Sequence, residues 1–110
     1  MLTLPIKKKW FDMIKSGEKK EEYREIKPYY EKRFEPYIPE FGNMKMQHME
    51  HGTAFWEVAD EIIFRNGYSK NNPTIRCKIK IRKGYGKPEW GADPYQEYYI
   101  LDILKVEEVN

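Results

Sequence analysis

Residues 16–27, SGEKKEEYREIK, hold four basic and four acidic side chains in twelve positions. Within them Gly17, Lys19, Glu22 and Arg24 have spacing that can do chemistry. An ammonium, a carboxylate and a guanidinium converging beside a glycine turn can contact an anion, order a water or move a proton. As an extended strand, the segment points Glu22, Arg24 and Ile26 to one face and Glu21, Tyr23 and Glu25 to the other. Lys19 then sits in the preceding turn, close to Glu22. The alternative is a solvated face whose ion pairs contribute little.

The flanking elements must position these groups. Trp10, Phe11, Met13 and Ile14 give residues 7–15 a helical apolar stripe. Trp10 is expected to anchor that short helix in the core, and Gly17 is suited to end it in the left-handed conformation. Residues 2–6 read as a first strand, with Pro5 at its end or on an edge. Lys27-Pro28 breaks the charged strand, and residues 29–34 predict one or two helical turns, closed by Pro36 and Pro39. Tyr29, Tyr30, Lys32, Arg33 and Phe34 there suit either base stacking with phosphate contact or a packed helix with a wet face.

Residues 41–52 read as an exposed loop or short helix, with Met44, Met46 and Met49 as gap-fillers. His48 and His51, three apart, can share a helix face beside Glu50, but no third ligand of a usual pattern follows, so no metal site is expected. Residues 53–60 form a helical or extended lead-in to a strand at 61–65, which the turn pair Asn66-Gly67 ends. A polar loop follows at 68–73.

Residues 74–83 are the clearest strand: Ile75, Cys77, Ile79 and Ile81 alternate with Arg76, Lys78, Lys80 and Arg82. Cys77 is expected to be a buried apolar group rather than a nucleophile. The other face carries four cations, and between Lys70 and Pro88 there are seven basic residues and no acidic one. Either acidic neighbours (Glu21, Glu25, Asp102, Glu107) or a phosphate backbone must offset them. Residues 84–94 predict a loop that lacks the phosphate-loop spacing. In it, Tyr85 and Trp90 can wall a base or plug a barrel end. Residues 98–106 suit a central strand covered on both faces.

The 110 residues point to one domain spanning 1–110, with room for a modest core. One cysteine excludes an internal disulfide and fits a reducing compartment. No apolar run approaches the ~20 residues that span a membrane. Lys7-Lys8-Lys9 after the apolar start reverses signal-peptide order, so a cytoplasmic location is expected. A net charge of +2 selects no partner. Many short strands in a small chain favour a mainly β, α+β barrel or curved sheet.

Gly17-x-Lys19-x-x-Glu22-x-Arg24 resembles the G-x-K-x-x-E-x-R signature of the ASCH domain, a small relative of the PUA domains. Asn66-Gly67-Tyr68 and residues 84–91 are similar to segments of small ASCH-like proteins of bacteria and phages. The resemblance implies a PUA-like β-barrel with short flanking helices, and a cleft lined by Gly17, Lys19, Glu22 and Arg24. It points to RNA or a nucleotide as partner. Tyr23, Tyr68, Tyr85 and Trp90 are the candidate stacking platforms, and Arg76, Lys78, Lys80 and Arg82 the backbone contacts. No cofactor is implied. Some relatives resemble amidohydrolases acting on acetylated cytidine, with a Lys and a Thr in the signature. Lys19 matches the Lys, but Glu22 stands where the Thr is. Others resemble ribonucleases, for which Lys19 and Glu22 are the candidate catalytic pair. A protein-interaction adaptor using the basic strand is a third reading.

Overall fold

The computed structural model describes residues 1–37, 46–49, 52–55 and 60–109. Within them the order is β1 (Leu2–Ile6), α1 (Lys8–Ser16), β2 (Glu21–Glu25), α2 (Pro28–Phe34), a 3-10 turn (Glu35–Tyr37), β3 (Met46–Met49) and β4 (Gly52–Phe55). There follow β5 (Asp60–Asn66), β6 (Thr74–Tyr85), a second 3-10 turn (Pro88–Trp90) and β7 (Glu97–Val109). Strands β1-β5-β6-β7-β2, in that spatial order, make one sheet, and β3-β4 form a separate hairpin. The large sheet curls into a half-barrel with two short helices, a mixed α+β, mainly strand architecture.

Local chemistry explains the first half. Phe11 and Ile14 bury the apolar stripe of α1. Gly17 stops that helix at φ +86°, and its N–H donates to the Ile14 carbonyl at 3.0 Å. A side chain rarely adopts this backbone, so the glycine is needed for the turn. The Lys19 N–H donates to the Met13 carbonyl at 2.9 Å, which sends the chain back into β2. Pro5 is tolerated because β1 lies on the sheet edge, paired only with β5.

The core lies inside the curl. Leu4, Ile62, Phe64, Ile75, Cys77, Ile79, Ile81, Tyr99 and Leu101 face inward, and Phe11, Ile14 and Phe34 from the helices close over them. Strand β6 buries every second residue from Ile75 to Ile81, as its alternation predicts. Burial pushes the Cys77 thiol up to about 12, with Glu107 adding to it, so it stays protonated and inert. A smaller cluster of Tyr23, Ala92 and Ile100 packs on the opposite face of the sheet, with Trp90 and Tyr98 against it. Strand β7 is therefore covered on both faces near Ile100 and lies between β6 and β2. Two register shifts, between Arg76 and Cys77 and between Lys78 and Ile79, mark bulges that bend the pair.

Some expectations change. Residues 46–49 and 52–55 are strands of an antiparallel hairpin, so 46–49 are not a loop or short helix, while 53–55 take the extended one of the two forms expected there. His48 thus lies in β3, which removes the helix face it was to share with His51. His51, Glu50, Met44 and Pro39 lie outside the described residues. Strand β6 continues through Gly84 and Tyr85, because Tyr85 still pairs with Glu97, so the loop begins at Gly86. Pro36 lies inside the 3-10 turn that continues α2 rather than ending the helix outright.

Candidate functional site

The half-barrel leaves a seam between its two edge strands, β1 and β2, and the charged motif sits there. Arg24 of β2 bridges it. Its Nη2 donates to the Pro5 carbonyl of β1 at 2.8 Å, and its Nη1 donates to the Tyr30 hydroxyl of α2 at 3.1 Å. Its Nε and Nη2 both donate to Glu22 Oε2, at 3.1 and 2.8 Å. One guanidinium therefore ties together two edge strands and a helix, using the fork geometry that a lysine lacks.

Lys19 lies deeper. Its side chain is fully buried, and its Nζ donates to the Trp90 carbonyl at 2.6 Å and lies 3.3 Å from Glu22 Oε1. The rings of Trp10 and Tyr23 stand 4.7 and 4.9 Å from the same ammonium. Burial lowers the Lys19 pKa from its ordinary value, and Glu22 opposes that effect. Glu22 is itself 6% exposed. It is one buried carboxylate held between two cations, so the protonated cluster carries an excess positive charge. Burial also works against Arg24's charge, but Glu22 and the Tyr30 hydroxyl outweigh it and its pKa rises.

Above this cluster opens a cleft of about 380 Å³. Glu22, Tyr23 and Arg24 enter from β2, Trp10 from α1, and Trp90 and Gly91 from the second 3-10 turn. Pro5, Ile6 and Lys7 edge it at the start of the chain, and Gly67 and Tyr68 edge it from the β5–β6 turn. The Gly67 N–H donates to the Ile6 carbonyl at 2.9 Å, locking that turn against β1. The volume falls within the ~300–1,000 Å³ typical of small-molecule sites.

Gly91 has φ +100°, and a Cβ there would stand 2.9 Å from Cζ2 of Trp10. Gly91→Ala is accordingly expected to lose about 1–3 kcal/mol of stability through backbone strain and displacement of the Trp10 indole. Thermal unfolding and the tryptophan emission maximum read both effects. An unchanged midpoint and maximum would show that the indole does not press on this glycine.

The sequence-predicted residues divide into groups. Glu22, Tyr23, Arg24, Tyr68 and Trp90 border the cleft. Lys19 lies behind its wall, enclosed by Trp10, Tyr23 and Trp90, and Gly17 borders a separate hollow at the end of α1. Tyr68 is 88% exposed at the rim. Tyr85 is exposed and does not border the cleft, whereas Trp90 both walls it and packs on the outer cluster. Tyr23's hydroxyl donates to Glu21 at 2.7 Å and accepts from the Lys87 N–H at 2.9 Å.

The cations of β6 lie on the outer side of the sheet. Arg82 donates to Asp102 at 2.8 Å and to Glu21 at 3.2 Å, two of the acidic neighbours the sequence suggested. Arg76 lies 3.6 Å from Glu61, which was not among them. Lys80 pairs across the ladder with Asp102, and exposed Lys78 with Lys105. Sequence reasoning missed the cleft roles of Pro5, Lys7 and Trp10, and the Tyr30 hydroxyl as an acceptor for Arg24. Trp10 reads as a core anchor because its stripe shows burial but not which edge of the ring stays open.

No protein-family model matches the chain, and no curated protein or solved structure matches it. Among the described residues, no helix is long and apolar enough to cross a membrane.

Proposed function

We propose that the chain is an ASCH-type domain of the PUA-like group, and that it binds RNA or a nucleotide by holding one nucleotide unit in the seam cleft. The observation that carries this reading is the meeting of Trp10, Trp90 and Tyr68 with Arg24 and Glu22 around one 380 Å³ opening. Aromatic faces stack on any base. A carboxylate has about four lone-pair sites, so Glu22 retains acceptor capacity for a base edge beyond its bonds to Lys19 and Arg24. The surplus positive charge of the cluster, with exposed Lys7 at the mouth, favours a phosphate.

Calorimetry and tryptophan quenching with the four nucleoside 5′-monophosphates and short RNAs test this. Trp90→Leu should weaken binding about 10–100-fold, the loss of one stacking face. Absence of binding by every nucleotide and RNA up to about 1 mM, a free energy near −4 kcal/mol, would overturn the reading.

A hydrolytic role for Lys19 and Glu22 is the second reading, favoured by Glu22 bordering the cleft with Lys19 3.3 Å behind it, where burial lowers the Lys19 pKa and lets it hand a proton through Glu22. Chromatography of the same mixtures tests it: product formation abolished by Lys19→Met carries it, and intact nucleotide removes it.

A further inference from the structure

A further hollow, of about 480 Å³, adjoins the far side of the β5–β6 turn. Arg65, Lys70, Asn71, Asn72 and Thr74 line it, and its lining contains two cations and no carboxylate. The contrast with the other arginines matters. Arg24, Arg76 and Arg82 each have a carboxylate within 4 Å, and Arg33 donates to the Tyr29 carbonyl. Arg65 differs in having no carboxylate partner among the described residues, and its buried Nε has no hydrogen-bond acceptor among them. A guanidinium N–H removed from water without an acceptor is costly, and an anion is its natural complement. The scaffold around it is set: the Asn72 amide donates to the Asn66 carbonyl at 2.6 Å, and the Asn66 N–H to the Pro73 carbonyl at 3.0 Å.

The same turn borders both openings. Gly67 and Tyr68 edge the seam cleft, while Lys70 to Thr74 edge the 480 Å³ hollow. Tyr68 and Lys70 are two residues apart, so their Cα atoms lie within ~7 Å. The exposed Tyr68 ring stands at the rim of the seam cleft, on the turn that also carries Lys70.

We infer that the Arg65–Lys70 hollow receives the phosphodiester that follows the nucleotide held in the cleft, so the ligand is an RNA strand passing over Tyr68 rather than a free mononucleotide. This rests on the nucleotide reading of the cleft. It adds a strand path and a second contact site on a different element.

The test compares the four nucleoside 5′-monophosphates with homo-oligoribonucleotides of two, four and six residues on the whole chain. Wild type, Arg65→Gln and Lys70→Gln are titrated at several salt concentrations. In wild type the oligonucleotides should bind at least tenfold tighter than the monophosphates. Each variant should lose about tenfold for the oligonucleotides, the worth of one charged hydrogen bond, and nothing for the monophosphates. The salt slope for oligonucleotides should fall by about 0.7–1 per cation removed. Lys70 lies in an exposed turn, so Lys70→Gln folds even if Arg65→Gln does not. Monophosphate binding without any gain from chain length overturns the strand path and leaves the cleft reading intact. So does equal loss for both ligand classes in Lys70→Gln. Failure of every ligand to bind overturns both.

Discussion

Replacing Glu22 with alanine is expected to cost about 3–5 kcal/mol of unfolding free energy, the range for breaking a buried ion pair by removing one partner. In a chain of this size that lowers the melting midpoint by roughly 10–25 °C. The physical cause is specific. Among the described residues, Glu22 is the sole carboxylate touching both Lys19, whose side chain is fully buried, and Arg24, whose side chain is 11% exposed. Without it, two cations are left in a water-poor seam. Arg24 cannot shed its proton, but Lys19 can. Burial already lowers the Lys19 pKa, and losing Glu22 removes its main opponent, so the pKa falls further. Between that lowered pKa and 10.5 the unfolded chain binds the proton that the folded chain has released, so stability rises with pH across this window. The deficit of Glu22→Ala relative to wild type should therefore shrink as pH rises toward roughly 10, where tyrosines begin to titrate. Adding Lys19→Met to Glu22→Ala should recover part of the loss, and the double variant should not equal the sum of the singles. Urea melts at several pH values measure all of this. A Glu22→Ala variant within about 0.5 kcal/mol of wild type at neutral pH, typical of surface positions, would falsify the buried-cluster account.

Arg24→Lys keeps the charge and removes the clasp. A lysine ammonium offers three donors from one point, whereas Arg24 makes four hydrogen bonds to Glu22, Tyr30 and Pro5 in three directions. The expected loss is about 2–3 kcal/mol, since hydrogen bonds from a charged donor are worth about 1.5–3 kcal/mol each and lysine retains some of them. The loss should be local. Hydrogen exchange should quicken in β1 and α2, the elements the guanidinium holds, while β6 and β7, the most extensively paired strands, keep their protection. Nucleotide affinity should fall at least tenfold, because the floor of the cleft and the seam shift together. Uniform faster exchange across the sheet would mean that Arg24 contributes to global stability but does not hold the seam.

Several features were legible beforehand because they depend on local chemistry. Gly17 ends α1 in the left-handed conformation, the conformation glycine adopts without a Cβ penalty. Ile75 to Ile81 bury alternately because a strand repeats every two residues. Glu22 and Arg24 share a face for the same reason, and Lys19 reaches Glu22 across one turn. The first strand of the hairpin, 46–49, was not legible, since Met46, His48 and Met49 follow neither period, whereas 53–55 already read as helical or extended.

Sequence periodicity thus determines the strands of the main sheet, the helix stop and the grouping of one ammonium, one carboxylate and one guanidinium, because those follow from neighbours a few residues apart. It is silent on Trp10 as a cleft wall, on Arg24 reaching the Pro5 carbonyl, and on the acceptorless Nε of Arg65. Those arise where segments 19 to 81 residues apart meet: Pro5 with Arg24, Lys19 with Trp90, and Trp10 with Gly91. Curling of the sheet brings its two edges together, and bulges in the β6–β7 pair bend it. Contacts of that kind are set by how the whole sheet closes, which no local pattern of residues encodes.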